Sequence, residues 1–105
     1  MIYVGTDLKF AINIQCQGFS MDDDEFEITL VNGKNRLELS KDDLVKDNNT
    51  WYLCFDSTEL GHGDVTMIVC AYVPDADFED GVRKEVLETT LCQIDPVKGF
   101  KKYNV

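Results

Sequence analysis

The residues best placed to do chemistry lie in one short stretch. Val73–Val86 reads VPDADFEDGVRKEV and sets Asp75, Asp77, Glu79 and Asp80 just ahead of Gly81. Carboxylates at alternate positions are oxygen ligands for a hard cation, so calcium is the first chemistry to test. An EF-hand loop needs ligands at its first, third and fifth positions, glycine at the sixth and a bidentate glutamate at the twelfth. Counted from Asp75, the sixth position is Asp80, the glycine falls one place late and the twelfth is Val86, which cannot coordinate. Asp75, Asp77 and Glu79 are left as a candidate for loose coordination, helped by Asp22-Asp23-Asp24-Glu25 if the fold brings the two clusters to one end. The mechanical reading is simpler. Pro74 ends a strand, Asp80-Gly81 turns the chain, and the acids keep the loop solvated. Phe78 is the apolar exception, and it either plugs the end of the fold or touches a partner; the plug is the expectation.

Catalysis finds little support. Nucleophilic mechanisms need a nucleophile, a base and an orienting group. The one histidine, His62, sits between Gly61 and Gly63, where a mobile turn is expected. Acids occur as runs rather than pairs facing a cleft, and no phosphate-cradling glycine motif is present. The sequence predicts no enzyme, no catalytic residue and no cofactor. The cysteines are Cys16, Cys54, Cys70 and Cys92, with no CxxC pair, and each lies within an apolar, strand-like run. They are expected to be free, buried thiols.

Charge narrows the partners. The chain has 105 residues and a formal net charge of −10. Such a surface repels phosphate, which argues against nucleic acid and anionic membrane. All 20 acids lie between Asp7 and Asp95, and three of the 10 basic residues fall in the final KGFKKYNV. Seven basic against 20 acidic residues leave the first 97 residues at −13, while the last eight carry +3. Lys98, Phe100, Lys101, Lys102 and Tyr103 therefore form a candidate docking arm over residues 97–105, beside a folded domain over residues 1–96. The amino-terminal MIYVGTDLKF lacks the basic region and apolar run of a signal peptide, so synthesis in a cytoplasm is expected.

The elements that must position these residues follow a period of two. Leu8, Phe10, Ile12, Ile14 and Cys16 alternate with polar or small residues, predicting a strand over Leu8–Cys16. Phe26, Ile28 and Leu30 do the same, and Asn32-Gly33 signals a type I′ hairpin into a return strand carrying Leu37 and Leu39. Ser40–Leu44 reads as one capped helical turn and Asp47–Asn49 as a polar turn. Trp51, Leu53 and Phe55 share a face, which makes Trp51 a core residue. Asp56–Asp64 is a loop with room for a single helical turn. Val65–Val73 is apolar on both faces, as a strand covered on both sides or meeting a partner would be. A last strand spans about Lys84–Ile94, with Leu87 and Leu91 on one face and Val86, Cys92 and Ile94 on the other. Six to seven short strands and no long helix predict an all-β, single-domain, antiparallel sandwich, with a small barrel as the alternative.

One pattern is more specific. The series GxDLKFxIxIxxxGFSMDDDEFEITLxxGxNxxxLxKxDL, then WYLCFD, LGHGDVTMIV and AYVPDADFEDGVRKEV, resembles small Ig-like modules of phage virion structural proteins. It is most similar to those of gut Bacteroidales phages and prophages, crAss-like phages included, over roughly residues 4–94. The resemblance implies an Ig-like sandwich in a virion, as an auxiliary or decoration protein of the capsid or as an adaptor for head or tail fibres. Its partners would be the major capsid protein, fibre or tail proteins, or further copies of itself. Read as ending at Val105, the chain carries no fibre domain, which suggests a free-standing subunit. No ligand residues carry over. The competing expectation is a carbohydrate- or receptor-binding Ig-like adhesion module, with Trp51, Tyr52 and Tyr72 exposed on one flat face.

Overall fold

The computed structural model describes residues Met1–Pro96. Eight strands form: β1 Ile2–Tyr3, β2 Asp7–Ile12, β3 Phe26–Asn32, β4 Asn35–Ser40, β5 Val45–Asp47, β6 Thr50–Asp56, β7 Gly63–Pro74 and β8 Val82–Asp95. One sheet has the order β1-β8-β7-β3-β4 and the other β2-β6-β5. All neighbours are antiparallel except β1, which runs parallel to β8 at Ile94 and Asp95. This is a single-domain β-sandwich in which a three-stranded sheet packs over a five-stranded one.

The predicted alternation builds the core. Phe26, Ile28 and Leu30 of β3 and Val65, Val69, Ala71 and Val73 of β7 are buried, facing Leu8 and Ile12 of β2 and Leu53 and Phe55 of β6. Phe26 lies at the centre of an aromatic group, edge-on to Phe19 and to Trp51 at centroid distances of 6.1 and 6.0 Å. Trp51 packs against the core while remaining half-buried. The two short helical turns form as 3₁₀ turns at Lys41–Asp43 and Ser57–Glu59. In the first, the Asp43 carboxylate accepts from the Ser40 N–H at 2.9 Å. In the second, Ser57 is buried; its Oγ accepts from the Gly5 N–H at 2.8 Å and its N–H donates to the Thr6 carbonyl, pinning the β1–β2 corner.

Several expectations shift. The first long strand stops at Ile12, because its partner β6 ends its pairing at Trp51. Ile14 is buried beyond that point without belonging to a strand. The hairpin after β3 turns on Gly33-Lys34, since Asn32 pairs with Asn35. Only Gly33 has positive φ, at 58°, which is the pattern of a type II′ turn. Asn32 is thereby freed to donate its side-chain amide to the Leu60 and His62 carbonyls at 2.9 and 2.6 Å. Gly63 is needed at the same junction: its φ is +126°, and a Cβ there would lie 2.7 Å from Asn32 Oδ1.

Strand β8 departs most from simple alternation. Val65 pairs with Cys92 but Thr66 pairs with Thr90, so Leu91 is the extra residue of a β-bulge. The bulge reverses the parity. Ile94 and Cys92 face inward, whereas Val86 faces outward beside Cys70, and Leu87 faces inward beside Val69. The outer face of β7 carries Ile68, Cys70 and Tyr72, each half-buried, with no further layer over it among the described residues. The four cysteines are free, but none is buried as expected: Cys16, Cys70 and Cys92 are half-buried, and Cys54, on the outward side of β6, is exposed.

Two outcomes are expected. Phe26→Ala removes the centre of the aromatic group and costs about 3–5 kcal/mol of stability in urea unfolding. A thiol reagent added to the native protein reacts first at Cys54, and Cys54→Ser abolishes that fast phase. Burial raises the pKa of Cys16 and Cys92 and so lowers their thiolate fraction.

Candidate functional site

The two acidic clusters meet at one end of the sandwich, where β7 ends and β3 begins. Phe26 pairs with Ala71 there, and the Tyr72 N–H donates to the Glu25 carbonyl at 3.0 Å. The β7–β8 connection is a compact turn. The Asp75 N–H donates to the Gly81 carbonyl, and the Gly81 N–H returns to the Phe78 carbonyl, both at 2.9 Å. The Asp75 carboxylate closes the turn from within by accepting from the Asp77 N–H at 3.0 Å. Phe78 does not plug the end of the sandwich. It stands at the turn with 46% of its surface exposed, because the turn's own backbone bonds hold it away from the core.

The residue that organises this end is Arg83, which alternation alone did not single out. Its guanidinium pairs with Asp75 at 2.5 Å and with Glu85 at 3.1 Å, and donates to the Gln17 carbonyl at 2.9 Å. One side chain thus ties the acidic turn, strand β8 and the loop after β2 together. The hydrogen bond from the Asp77 N–H, then the Arg83 bond, hold the Asp75 carboxyl below its ordinary range. Asp75 and Glu85 in turn raise the Arg83 pKa.

The second cluster is answered in the same way. Lys46 Nζ lies 2.7 Å from Asp22 Oδ1, and Trp51 Nε1 donates to that same oxygen at 3.0 Å. Lys41 Nζ donates to the Asp22 and Asp24 carbonyls, each at 2.9 Å. Both lysines approach the Trp51 ring, at 5.7 and 5.6 Å from its centroid. The bond from Lys46, then that from Trp51, lower the Asp22 pKa. Asp75, Asp77 and Glu79 do not converge, and among the described residues no three His, Cys, Asp or Glu side chains are grouped to hold a metal. A cation at either cluster would also have to displace Arg83 or Lys46.

An open cleft of about 810 Å³ lies beside the second cluster, lined by Asn13, Gln15, Phe19, Asn49 and Trp51 among others. It holds no titratable pair at bonding distance beyond Asp22 and its lysine. The three aromatics expected on one flat face are separated. Trp51 turns inward to Phe26, Tyr52 lies on the other side of β6 under Lys9, and Tyr72 lies on the outer face of the large sheet, bonded to Glu27. The bond to the Glu27 carboxylate raises the Tyr72 pKa. The candidate arm residues Lys98, Phe100, Lys101, Lys102 and Tyr103 lie outside the described residues.

What remains available for recognition is backbone. Among the described residues, β4 is a free edge of the large sheet, and β2 and β5 are the free edges of the small one. Within the same residues β8 is covered on its outer edge at Ile94 and Asp95, by β1. No helix among the described residues is long and apolar enough to cross a membrane.

The fold class is thus an all-β sandwich in which Asp22 and Asp75 are held by the chain's own cations. Compared with family models, with curated proteins and with solved structures, the chain matches none of them.

The lowered carboxyls of Asp22 and Asp75 contribute to stability above the acid range. Both have an ordinary value of 3.8 and a folded-state pKa below it. Their contribution is complete above that value and is lost as pH falls through the lowered pKa. Stability in urea should therefore hold from neutral pH to about pH 5 and fall below about pH 4. Asp22→Asn with Asp75→Asn should make that fall shallower.

Proposed function

We propose that this chain is a non-enzymatic binding module that works through protein–protein contacts. Its setting is a phage virion, as an auxiliary or decoration protein of the capsid or an adaptor for head or tail fibres. The observation that carries the reading is the set of open strand edges. Among the described residues, β2, β4 and β5 each present unpaired backbone groups on one side, and β8 does so over most of its length. An open edge can be completed by a strand from another protein, with backbone hydrogen bonds giving affinity and alternate side chains giving specificity. The pairing of Asp75 with Arg83 and of Asp22 with Lys46 adds to this, and among the described residues no three His, Cys, Asp or Glu side chains are grouped to hold a metal. The resemblance of the strand-and-turn pattern to phage Ig-like modules supplies the setting. A module of this kind needs only repeated, specific contacts.

The test is quantitative mass spectrometry of purified virus particles, with the copy number scaled to the major capsid protein. A number comparable to the capsid protein's supports decoration, and a much smaller fixed number supports an adaptor. Absence from the particles sinks the virion setting and leaves the binding module to be tested elsewhere.

A further inference from the structure

Strand β8 is exposed in a way that no other strand is. Val86, Leu87, Glu88, Thr89 and Thr90 are consecutive exposed residues, so the middle of the strand is open on both faces. Val86 is 67% and Leu87 37% exposed, two of the five large apolar side chains so placed among the described residues. Neither β2 nor β4 carries one, although both are open edges, and β5 carries only Val45. Among the described residues, the outer edge of β8 has no backbone partner from Val82 until β1 joins at Ile94. The bulge at Leu91 ends the regular part, which leaves Val82–Thr90 as a straight, unpaired template.

The geometry points to a second copy of this chain as the partner, its β8 paired antiparallel to this one across a two-fold axis at Val86. In such a pair the opposed residues stand on the same face of the joined sheet, and only some registers respect the alternation. An axis at Val86 sets Val86 against its own copy and Lys84 against Glu88, twice. Both of those residues lie on the outward face, beside Tyr72 and Ile68 of β7. Axes at Arg83, Lys84, Glu85 or Glu88 would put like charges directly opposite each other, which is unfavourable. An axis at Leu87 would forfeit both Lys84–Glu88 pairs. On its outward face the strand is therefore self-complementary in charge and in apolar contact with the axis at Val86, while on the inward face Glu85 stands against Leu87 and Arg83 against Thr89, with no like charges opposed. The contact is isologous, so it closes at two copies rather than growing into a fibre. It makes the large sheet continuous across the dimer and leaves β2, β4 and β5 open for other partners. This inference rests on β8 alone and stands whether or not the virion setting is right.

The experiment is sedimentation equilibrium of the full chain over a range of concentrations, with charge-reversal variants. The unaltered chain should show a monomer–dimer equilibrium. K84E alone and E88K alone each make both opposed pairs repulsive, and each should weaken the dimer by about tenfold or more. K84E/E88K restores opposite charges and should recover the dimer, and mixing the two single variants should give a heterodimer tighter than either homodimer. Lys84 and Glu88 are both exposed at the surface, and circular dichroism of each variant checks that the fold is kept. Hydrogen exchange should show amides within Val82–Thr90 gaining protection as concentration rises. A chain that stays monomeric at every concentration overturns the inference. So does a dimer indifferent to both reversals, or edge protection independent of concentration, which would place another segment of the same chain on β8.

Discussion

Three strands have to cover five, and the rest of the structure follows from that mismatch. The inward row of β7, Val65, Val69, Ala71 and Val73, can leave water only if a second layer lies over it. β2 and β6 supply that layer with Leu8, Ile12, Leu53 and Phe55, and Phe26, Ile28 and Leu30 of β3 complete the buried set. The cover is centred beneath β3 and β7 and thins toward both sides. Leu37 and Leu39 of β4 are only partly buried, and the middle of β8 is bare. Leu87 faces inward beside Val69 but has little above it, and a groove of about 350 Å³ runs between it and the segment Ala11–Gln15. Along the same row, β8 turns Arg83 and Glu85 inward, and inward-pointing charge is one of the ways natural sheets keep an edge from pairing at random.

Electrostatics closes the end that packing leaves open. With 20 acids against 10 basic residues, this surface repels itself unless the few cations are well placed. Arg83 serves the turn at Asp75, the neighbouring Glu85 and the loop at Gln17 together, and Lys41 and Lys46 serve Asp22 and Asp24 while lying near the Trp51 ring. Each of these contacts is partly exposed, so none is a large stabiliser alone. Their effect is positional: they fix the loop between β2 and β3 against both sheets. At this end Asp22 and Asp75 are held by cations of the chain itself.

Much of this fold was legible in the chain. The rows Phe26-Ile28-Leu30 and Val65-Val69-Ala71-Val73, the capped turn at Ser40 and the helical turn inside Asp56–Asp64 all follow from local chemistry, because alternation, caps and glycine conformations act over a few residues. The hairpin was legible to within one residue, since both Asn32 and Gly33 accept positive φ and only the pairing of Asn32 with Asn35 decides between them. The site was far less legible. Lys46 reaches Asp22, and Arg83 reaches Gln17, across separations that carry no pattern in the chain.

The sequence by itself determined that the protein is a small, acidic, all-β domain with alternating strands, because side-chain direction in a strand depends on nothing but position. Which face meets core, partner or water depends on how many strands stand opposite and where the register slips. The bulge at Leu91 turned Val86 away from Ile94's face, the short reach of β6 ended β2 at Ile12, and the backbone bonds of the acidic turn put Phe78 in solvent. Only the tertiary structure could decide these points, because each is set by a partner strand or turn distant in the chain or by a count of residues between pairings, and neither is encoded in the alternation itself.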